Sequence, residues 1–177
     1  MIRQRLPFRA VNRRGDPDHQ PELQRHHLLP RQILRRRCFG PLFDSLGPIR
    51  VGFEDFRRNG MLLPASERAA LRIGLPLHRG PHRSYNELVI ERVGQIEAGW
   101  RRRGNSDAAV HEALARLALL QRALRRRLLD DRRERVLLSR RDPVVHAAHF
   151  AALDSLAEEL WGTTEPEPAP ERDALAA

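Results

Sequence analysis

The sequence predicts an α+β fold that is mostly α: a ββα kernel with a helical insertion, followed by a C-terminal helical hairpin. Three observations support this prediction. Two short apolar segments, each ended by a proline, have the length of β-strands. The segment after them has an apolar residue at every third or fourth position, which is the spacing of one helical face. Two more segments with helical spacing follow it.

The two strands are predicted at residues 23–29 and 61–63. Pro30 ends the first, because a proline forces the preceding residue away from helical backbone. The second follows Asn59 and Gly60, a pair that often adopts positive φ in turns. We therefore expect a turn immediately before the second strand, at a pair that is able to adopt positive φ.

The region between the strands is predicted to be helical in short pieces. Residues 31–46 carry apolar side chains at roughly helical spacing, and Gly40-Pro41 is expected to break them into two short helices. Cys38 lies on that apolar stripe, so we expect it to be a small core residue. A further short helix is predicted to begin at Ser66, beyond the second strand.

The first long helix is predicted to begin at Gly80-Pro81, because proline is tolerated in the first turn of a helix. It is expected to end at Gly104, after three arginines whose charge suits the C-terminal end of the helix dipole. We expect Tyr85, the first residue of its apolar stripe, to belong to the core. The full stripe consists of Tyr85, Val89, Val93, Ile96 and Trp100.

Two further helices and a tail complete the predicted organisation. Asn105 or Ser106 caps a helix that runs to about residue 139, and the last helix begins at Asp142. The acidic, proline-rich end of the chain is predicted to be disordered. The predicted divisions are a basic N-terminal arm, a kernel domain, a helical extension and an acidic tail, at residues 1–22, 23–104, 105–162 and 163–177.

Positive charge is concentrated in the N-terminal part of the chain. The chain has 32 basic and 23 acidic residues, a formal net charge of +9, and every basic residue is arginine. Residues 1–104 contain 21 arginines and 10 acidic residues, a net charge of +11. Such a surface attracts phosphates and predicts a salt-dependent affinity for nucleic acid.

Composition also excludes several classes of protein. The single cysteine, Cys38, rules out an internal disulfide and a cysteine-based zinc site. No apolar run approaches the roughly 18 residues needed to cross a bilayer, and no apolar segment follows the charged N-terminus as it would in a secretory signal peptide. We therefore expect no membrane contact, and a cytoplasmic protein or one delivered to a target cell by a signal-independent secretion system.

Four histidines form the strongest chemical pattern in the sequence. On extended backbone, His26 and His27 point to opposite sides, so that one can bind a metal while the other reaches water or substrate. His78 and His82 are four residues apart, which on a helix or its first turn places them on one face. Three neutral imidazoles with open positions are typical of a catalytic metal site, and they suit zinc, nickel or manganese better than magnesium.

The remaining histidines and two arginine runs carry weaker signals. Arg35-Arg36-Arg37 either contacts a DNA backbone or is a solvated surface. Arg125-Arg126-Arg127 lies close to Asp130-Asp131, so ion pairs within the helix are predicted there. The histidines predicted to be structural or solvated are His19, His111, His146 and His149.

Three motifs, in this order, carry a resemblance to a known family: His26-His27-Leu28-Leu29-Pro30, Asn59-Gly60-Met61-Leu62-Leu63-Pro64, and Leu77-His78-Arg79-Gly80-Pro81-His82-Arg83-Ser84-Tyr85-Asn86. Together they resemble the AHH nucleases of the HNH superfamily, which is also called ββα-metal or endonuclease VII-like. The resemblance spans about residues 23–100. It departs at Arg25, which stands where the motif has alanine; that position is not a ligand in the superfamily.

The resemblance implies a ββα-metal nuclease kernel with one divalent metal ion. His26, His78 and His82 would be its ligands. Zinc, nickel, manganese or magnesium would be the ion, and it would neutralise the scissile phosphate.

The resemblance also implies three catalytic residues. His27 would be the general base that takes a proton from the attacking water. Asn59 would hold the loop between the two strands and so help to orient the base. Arg79 would hydrogen-bond the phosphate, and a solvated arginine is the alternative interpretation.

The resulting hypothesis is a metal-dependent endonuclease that hydrolyses DNA phosphodiester bonds, with RNA left open as a substrate. A bacterial toxin or effector is expected from the resemblance. The alternative is a non-catalytic nucleic-acid-binding protein with a structural metal site, which would need a fourth ligand. A third hypothesis is an interaction protein whose C-terminal helices, within residues 105–162, bind an immunity protein or a second copy of the chain.

Overall fold

The computed structural model describes residues 4–80, 82–104, 106–129 and 138–139 of the 177-residue chain. Its mixture of two strands and predominant helix confirms the predicted fold class, α+β and mostly α. The second helix of the predicted hairpin, from residue 142, and the predicted tail at 163–177 lie outside the described residues. The predicted domain boundaries therefore remain predictions.

In the described part of the chain, two strands enclose a run of short helices and are followed by longer ones. The strands are β1 (Leu23–His27) and β2 (Gly60–Pro64). The helices are α1 (Gly40–Leu46), α2 (Pro48–Val51), α3 (Phe56–Asn59), α4 (Glu67–Ile73), α5 (Arg83–Arg102) and α6 (Asp107–Leu129). Short 3-10 turns span Phe8–Ala10, Arg31–Arg35 and Arg37–Phe39.

The two strands form an antiparallel sheet, in which His26 lies opposite Met61 and His27 opposite Gly60. Neither residue of the Asn59-Gly60 pair adopts the positive φ that was available to it. Asn59 is the last residue of α3, and Gly60 is extended with φ −112°. Glycine is needed at this position for space, because a Cβ on Gly60 would overlap the Phe56 ring.

The helical insertion differs from its prediction in two places. Gly40 and Pro41 begin α1 rather than break a helix, since proline fits the first turn. Cys38 is exposed, so its predicted core position is wrong. The reason is local: residues 37–39 form a tight 3-10 turn whose buried residue is Phe39, and the α-helical stripe assumed for Cys38 does not exist there.

Helix α5 begins at Arg83 and not at Gly80-Pro81. The chain before it stays beside β2, because the His78 backbone N–H donates to the Pro64 carbonyl at 2.7 Å. The predicted stripe is confirmed in four of its five positions, which are buried: Tyr85, Val89, Val93 and Ile96. The fifth, Trp100, is half-buried.

Helix α6 covers the kernel. Its cap is at Ser106, whose hydroxyl accepts from the Ala109 N–H at 3.3 Å, and its apolar face packs on α5 and on the three helices of the insertion. Arg125 donates to the carbonyls of Arg57 and Gly60 at 2.8 and 2.9 Å. The acids predicted to pair with this arginine run, residues 130–131, lie outside the described residues.

The hydrophobic core lies where the end of β1, the insertion, α5 and α6 meet. Its fully enclosed side chains include Leu28, Leu29, Leu42, Leu46, Val89 and Leu117. Two of these, Leu28 and Leu29, directly follow the paired histidines, so the core holds the end of β1 in place. Among the described residues, no helix is both long and apolar enough to span a membrane.

Candidate active site

Three of the four predicted site histidines meet in space. His26 is at the buried face of β1, His78 is in the loop after α4, and His82 directly precedes α5. Their ligand nitrogens all lie within 4.8 Å of one another. His78 and His82 converge across a loop rather than on one helical turn as expected. That loop turns at Gly80, whose φ of +83° favours glycine.

Hydrogen bonds orient two of the three rings. The side-chain oxygen of Gln24 lies 3.1 Å from Nδ1 of His78, and the Leu138 carbonyl lies 2.8 Å from Nδ1 of His82. A carbonyl oxygen can only accept, so Nδ1 carries the proton in both rings and Nε2 keeps its lone pair. This pattern matches metal-binding histidines, whose second nitrogen commonly donates to an oxygen.

His26 is the most enclosed member of the cluster. It is 4% exposed, and within the described residues its Nε2 is buried without a hydrogen-bond partner. Burial, together with the nearby His78 and His82, lowers its pKa to about 2. Burial and then His82 lower the pKa of His78 to about 4. Both rings are therefore neutral at pH 7, which is the form that binds metal.

The residues present fit a divalent metal ion. Ligand nitrogens around one tetrahedral zinc ion lie about 3.4 Å apart, and the three nitrogens of the cluster all lie within 4.8 Å of one another, so ring rotations alone could bring them to one ion. An ion would also satisfy the buried Nε2 of His26, which is costly to leave without a partner. Three protein ligands leave a coordination position open for water or substrate.

Tyr85 connects this cluster to the core. It is 1% exposed, which confirms the predicted core position, and its hydroxyl donates to the Leu28 carbonyl at 2.7 Å. Its ring lies edge-on to His26 with 5.0 Å between centroids. Burial raises the pKa of the Tyr85 hydroxyl, so this group stays a donor. The first residue of the α5 stripe therefore supports the backbone that carries His26.

His27 lies on the opposite face of β1, as the alternation of a strand requires. Its ring stacks on Phe8 with 3.7 Å between centroids and 2° between planes. Its Nε2 is buried with no hydrogen-bond partner in the described part of the chain. Burial lowers the pKa of His27, Glu54 opposes this shift, and the charges of Arg31 and Arg25 add to it. The ring is therefore neutral at pH 7.

Residues 4–12, here called the N-terminal segment, are a part of the site that was missed from the sequence. They run along the face of β1 that carries His27, held by a hydrogen bond from the Phe56 N–H to the Leu6 carbonyl at 2.7 Å. The segment lies within residues 1–22, which the sequence predicts to be a basic arm because they are rich in arginine, glycine and proline. The signal that could have located it is Phe8, the one aromatic residue among those charges.

Asn59 is buried at the centre of a hydrogen-bond network. Its side-chain oxygen accepts from the Leu29 N–H at 2.7 Å and from Gln121 at 3.2 Å. Its amide donates to the carbonyls of Leu29 and Phe53, both at 3.2 Å. Asn59 thus ties the residues after β1 to the insertion and to α6. Its predicted role in orienting the base remains a prediction.

Replacing Asn59 by alanine is expected to lower the free energy of unfolding by about 3 kcal/mol, because several buried polar groups would lose their partner at once. Chemical denaturation of the two proteins measures this difference. The matched control is Gln95→Ala, which removes an exposed amide on α5 and should change stability by less than about 0.5 kcal/mol. Equal midpoints for Asn59→Ala and wild type would disprove the structural role.

The arginines singled out from the sequence lie at the surface. Arg79 is exposed in the loop between His78 and His82. Arg35, Arg36 and Arg37 are also exposed. An exposed arginine can either contact a phosphate or remain solvated, so a phosphate contact remains a prediction for these residues.

The comparisons with known proteins agree with this geometry. The sequence profile of AHH, described as a nuclease family of the HNH/ENDO VII superfamily with conserved AHH, matches residues 7–124, more than half of the 177-residue chain. No curated protein and no solved structure gives a significant match. The match begins within the N-terminal segment and ends within α6, so it includes the four site histidines, Phe8, Asn59 and Tyr85, but not residues 4–6 or Leu138. The chain belongs to the AHH family of nucleases in the HNH/ENDO VII superfamily.

Proposed function

We propose that the protein is a metal-dependent endonuclease that hydrolyses DNA phosphodiester bonds. The observation that carries the proposal is the cluster that His78 and His82 form with the buried His26 on one face of β1, with a fourth histidine, His27, on the opposite face. The cluster provides a place for a cation, and His27 provides a neutral base. Metal-assisted hydrolysis needs these two components.

His26, His78 and His82 would hold the metal. When bound, the ion supplies positive charge that stabilises the negative charge developing on the phosphate and on the leaving oxygen. Imidazole nitrogens favour zinc, nickel or manganese, whereas magnesium prefers oxygen ligands. Since the cluster has three ligands among the described residues, a water or phosphate oxygen would complete the coordination.

His27 accepts the proton of the attacking water. Because Nε2 is enclosed, we assign the transfer to Nδ1. As the O–H bond of water breaks, its proton goes to Nδ1 and its oxygen forms the new bond to phosphorus. The bond from phosphorus to the leaving oxygen then breaks, the leaving oxygen takes a proton from solvent water, and His27 returns its proton to the solvent.

Arginines near the two histidine faces would bind the DNA backbone. Arg79 is next to the ligand His78 in sequence and is exposed. Arg5 and Arg9 line a cleft together with Phe8, the residue stacked on His27. Guanidinium groups at these positions suit phosphate oxygens, which they bind through paired hydrogen bonds.

The alternative is a nucleic-acid-binding protein in which the metal is only structural. A structural site is normally closed by four protein ligands, and the described residues supply three. That observation favours catalysis. Binding of DNA without cleavage in every metal would support the alternative.

The wider biological role follows from the same proposal. A bacterial nuclease toxin would require an immunity protein, and its production without one would stop the growth of a bacterial host through DNA damage.

The apolar face of α6 gives little support to self-association, because it is buried against the kernel and α5. Covering that face therefore requires no partner.

Cleavage of covalently closed circular DNA tests the proposed function. We expect the wild-type protein to nick or linearise the circle in manganese, nickel, zinc or magnesium and to be inactive with a chelator. An endonuclease cuts a circle without free ends, so the substrate excludes exonuclease activity. Parallel reactions on single-stranded DNA and RNA establish the preferred nucleic acid. Faster hydrolysis of RNA would overturn the assignment of DNA.

A further inference from the structure

The base candidate His27 lacks the usual means of orientation. A catalytic histidine is generally oriented by a hydrogen bond from its second ring nitrogen. In His27 that nitrogen, Nε2, is buried and makes no hydrogen bond within the described residues. The Phe8 ring instead lies flat on the imidazole at 3.7 Å. Rotation of the imidazole about its Cβ–Cγ bond would tilt its edge into the Phe8 ring, so the stack restricts the orientation of the imidazole.

Phe8 is itself held firmly in position. On the N-terminal side, Leu6 pairs with the insertion in both directions: its N–H donates to the Asp55 carboxylate at 3.2 Å, and its carbonyl accepts from Phe56. The Phe56 ring meets Phe8 edge-on at 5.1 Å between centroids. Phe8 is 8% exposed despite lying in a segment rich in arginine.

On the C-terminal side, the N-terminal segment is tied down by Arg25. Its guanidinium donates to the carbonyls of Phe8 and Val11 at 2.9 and 3.3 Å. Arg25 is the residue that stands where the family motif has alanine. It shares a strand face with His27, two residues on. An alanine side chain has no hydrogen-bond donor. The two hydrogen bonds to the N-terminal segment therefore depend on the arginine that stands in place of the alanine of the motif.

We propose that Phe8 is a positioning residue for His27, and that Arg25 acts through Phe8 by fastening the N-terminal segment over the base. The inference rests on the proposed function, in which His27 takes the proton from water. It gives a role in catalysis to Arg25, the one departure from the motif, and to the N-terminal segment, which lies outside the ββα kernel. Neither Phe8 nor Arg25 is a metal ligand.

Kinetics on duplex DNA test the role of Phe8. Phe8→Leu keeps an apolar side chain but removes the flat face, and we expect kcat to fall by about ten- to a hundredfold, as for a misoriented catalytic group, with KM little changed. Phe8→Tyr restores the face and should restore kcat to within about threefold of wild type. The matched control is Phe39→Leu, a change in a buried ring that packs edge-on against Phe43, which should lower thermal stability but not kcat.

Arg25→Ala tests the tether. We expect kcat to fall by about three- to tenfold, and less than additively in the Phe8→Leu background, because both changes remove the same restraint. Arg92→Ala, which removes an exposed arginine of α5, should leave kcat unchanged. Full additivity of Arg25→Ala and Phe8→Leu would show that Arg25 does not act through Phe8.

Nuclear magnetic resonance provides a readout that does not depend on activity. In metal-free protein, the ring protons of His27 should be shifted upfield by the Phe8 ring, and Phe8→Leu should remove that shift while zinc affinity stays unchanged. Wild-type protein that cleaves no DNA would overturn the proposed function. Active wild type with an unchanged or higher kcat in Phe8→Leu would overturn this inference alone, since it would make the stack irrelevant or inhibitory.

Discussion

Replacing His27 by alanine is expected to lower kcat for DNA cleavage by at least about a hundredfold, within the range that a general base contributes. The affinity for metal should not change, because His27 points away from the cluster formed by His26, His78 and His82. Pre-steady-state cleavage of a duplex oligonucleotide, with metal content measured on the same samples, gives both quantities.

The control for this change is His111→Ala, which removes an exposed histidine of α6 and should retain the wild-type kcat. His27→Ala also removes a ring that stacks on Phe8, so its thermal stability must be measured. A folded, metal-loaded His27→Ala protein that cuts DNA at the wild-type rate would disprove the assignment of the base.

Replacing His26 by alanine is expected to weaken zinc binding by more than about a hundredfold and to abolish cleavage, because one of three ligands is lost. Calorimetric titration of metal-free protein with zinc measures the affinity. The ion should also stabilise the wild-type fold, by about 2.7 kcal/mol when zinc is present at a hundred times its dissociation constant. At that concentration zinc should stabilise His26→Ala by less than about 0.4 kcal/mol, because its affinity is more than about a hundredfold weaker.

The comparison with His27→Ala makes this test specific, because the two alanine substitutions change adjacent residues of one strand. Only the substitution on the buried face should affect zinc binding. Equal loss of zinc affinity in both variants would contradict the division of roles between the two histidines.

Sequence reasoning identified the three histidines that cluster in space, because imidazole is a common metal ligand and histidine pairs are easily recognised in a sequence. Histidine pairs and the alternation of a strand predicted that His26 and His27 face opposite ways, as they do. The motif order placed His78 and His82 with His26, and the structure brings all three together. His78 and His82 do not meet through the expected helical spacing. They meet because the loop turns at Gly80 and the His78 N–H donates to the Pro64 carbonyl.

What sequence reasoning missed depends on contacts between distant residues. Phe8 reaches His27 through pairing of the N-terminal segment with Asp55 and Phe56, which no local pattern reveals. Gln121 lies on the α6 face that local periodicity marks as buried, but its bond to Asn59 exists only after folding. The exposed position of Cys38 followed from a 3-10 turn that spacing alone could not distinguish from an α-helix.

The most direct test of the central claim is a titration of metal-free protein with zinc or manganese, in which bound metal and the initial rate of cleavage of closed circular DNA are measured together. We expect the rate to rise in proportion to bound metal and to saturate at about one ion per chain, as expected for three ligands that meet at one point. Cleavage at the full rate in excess chelator, or cleavage that does not follow metal occupancy of the histidine cluster, would contradict it.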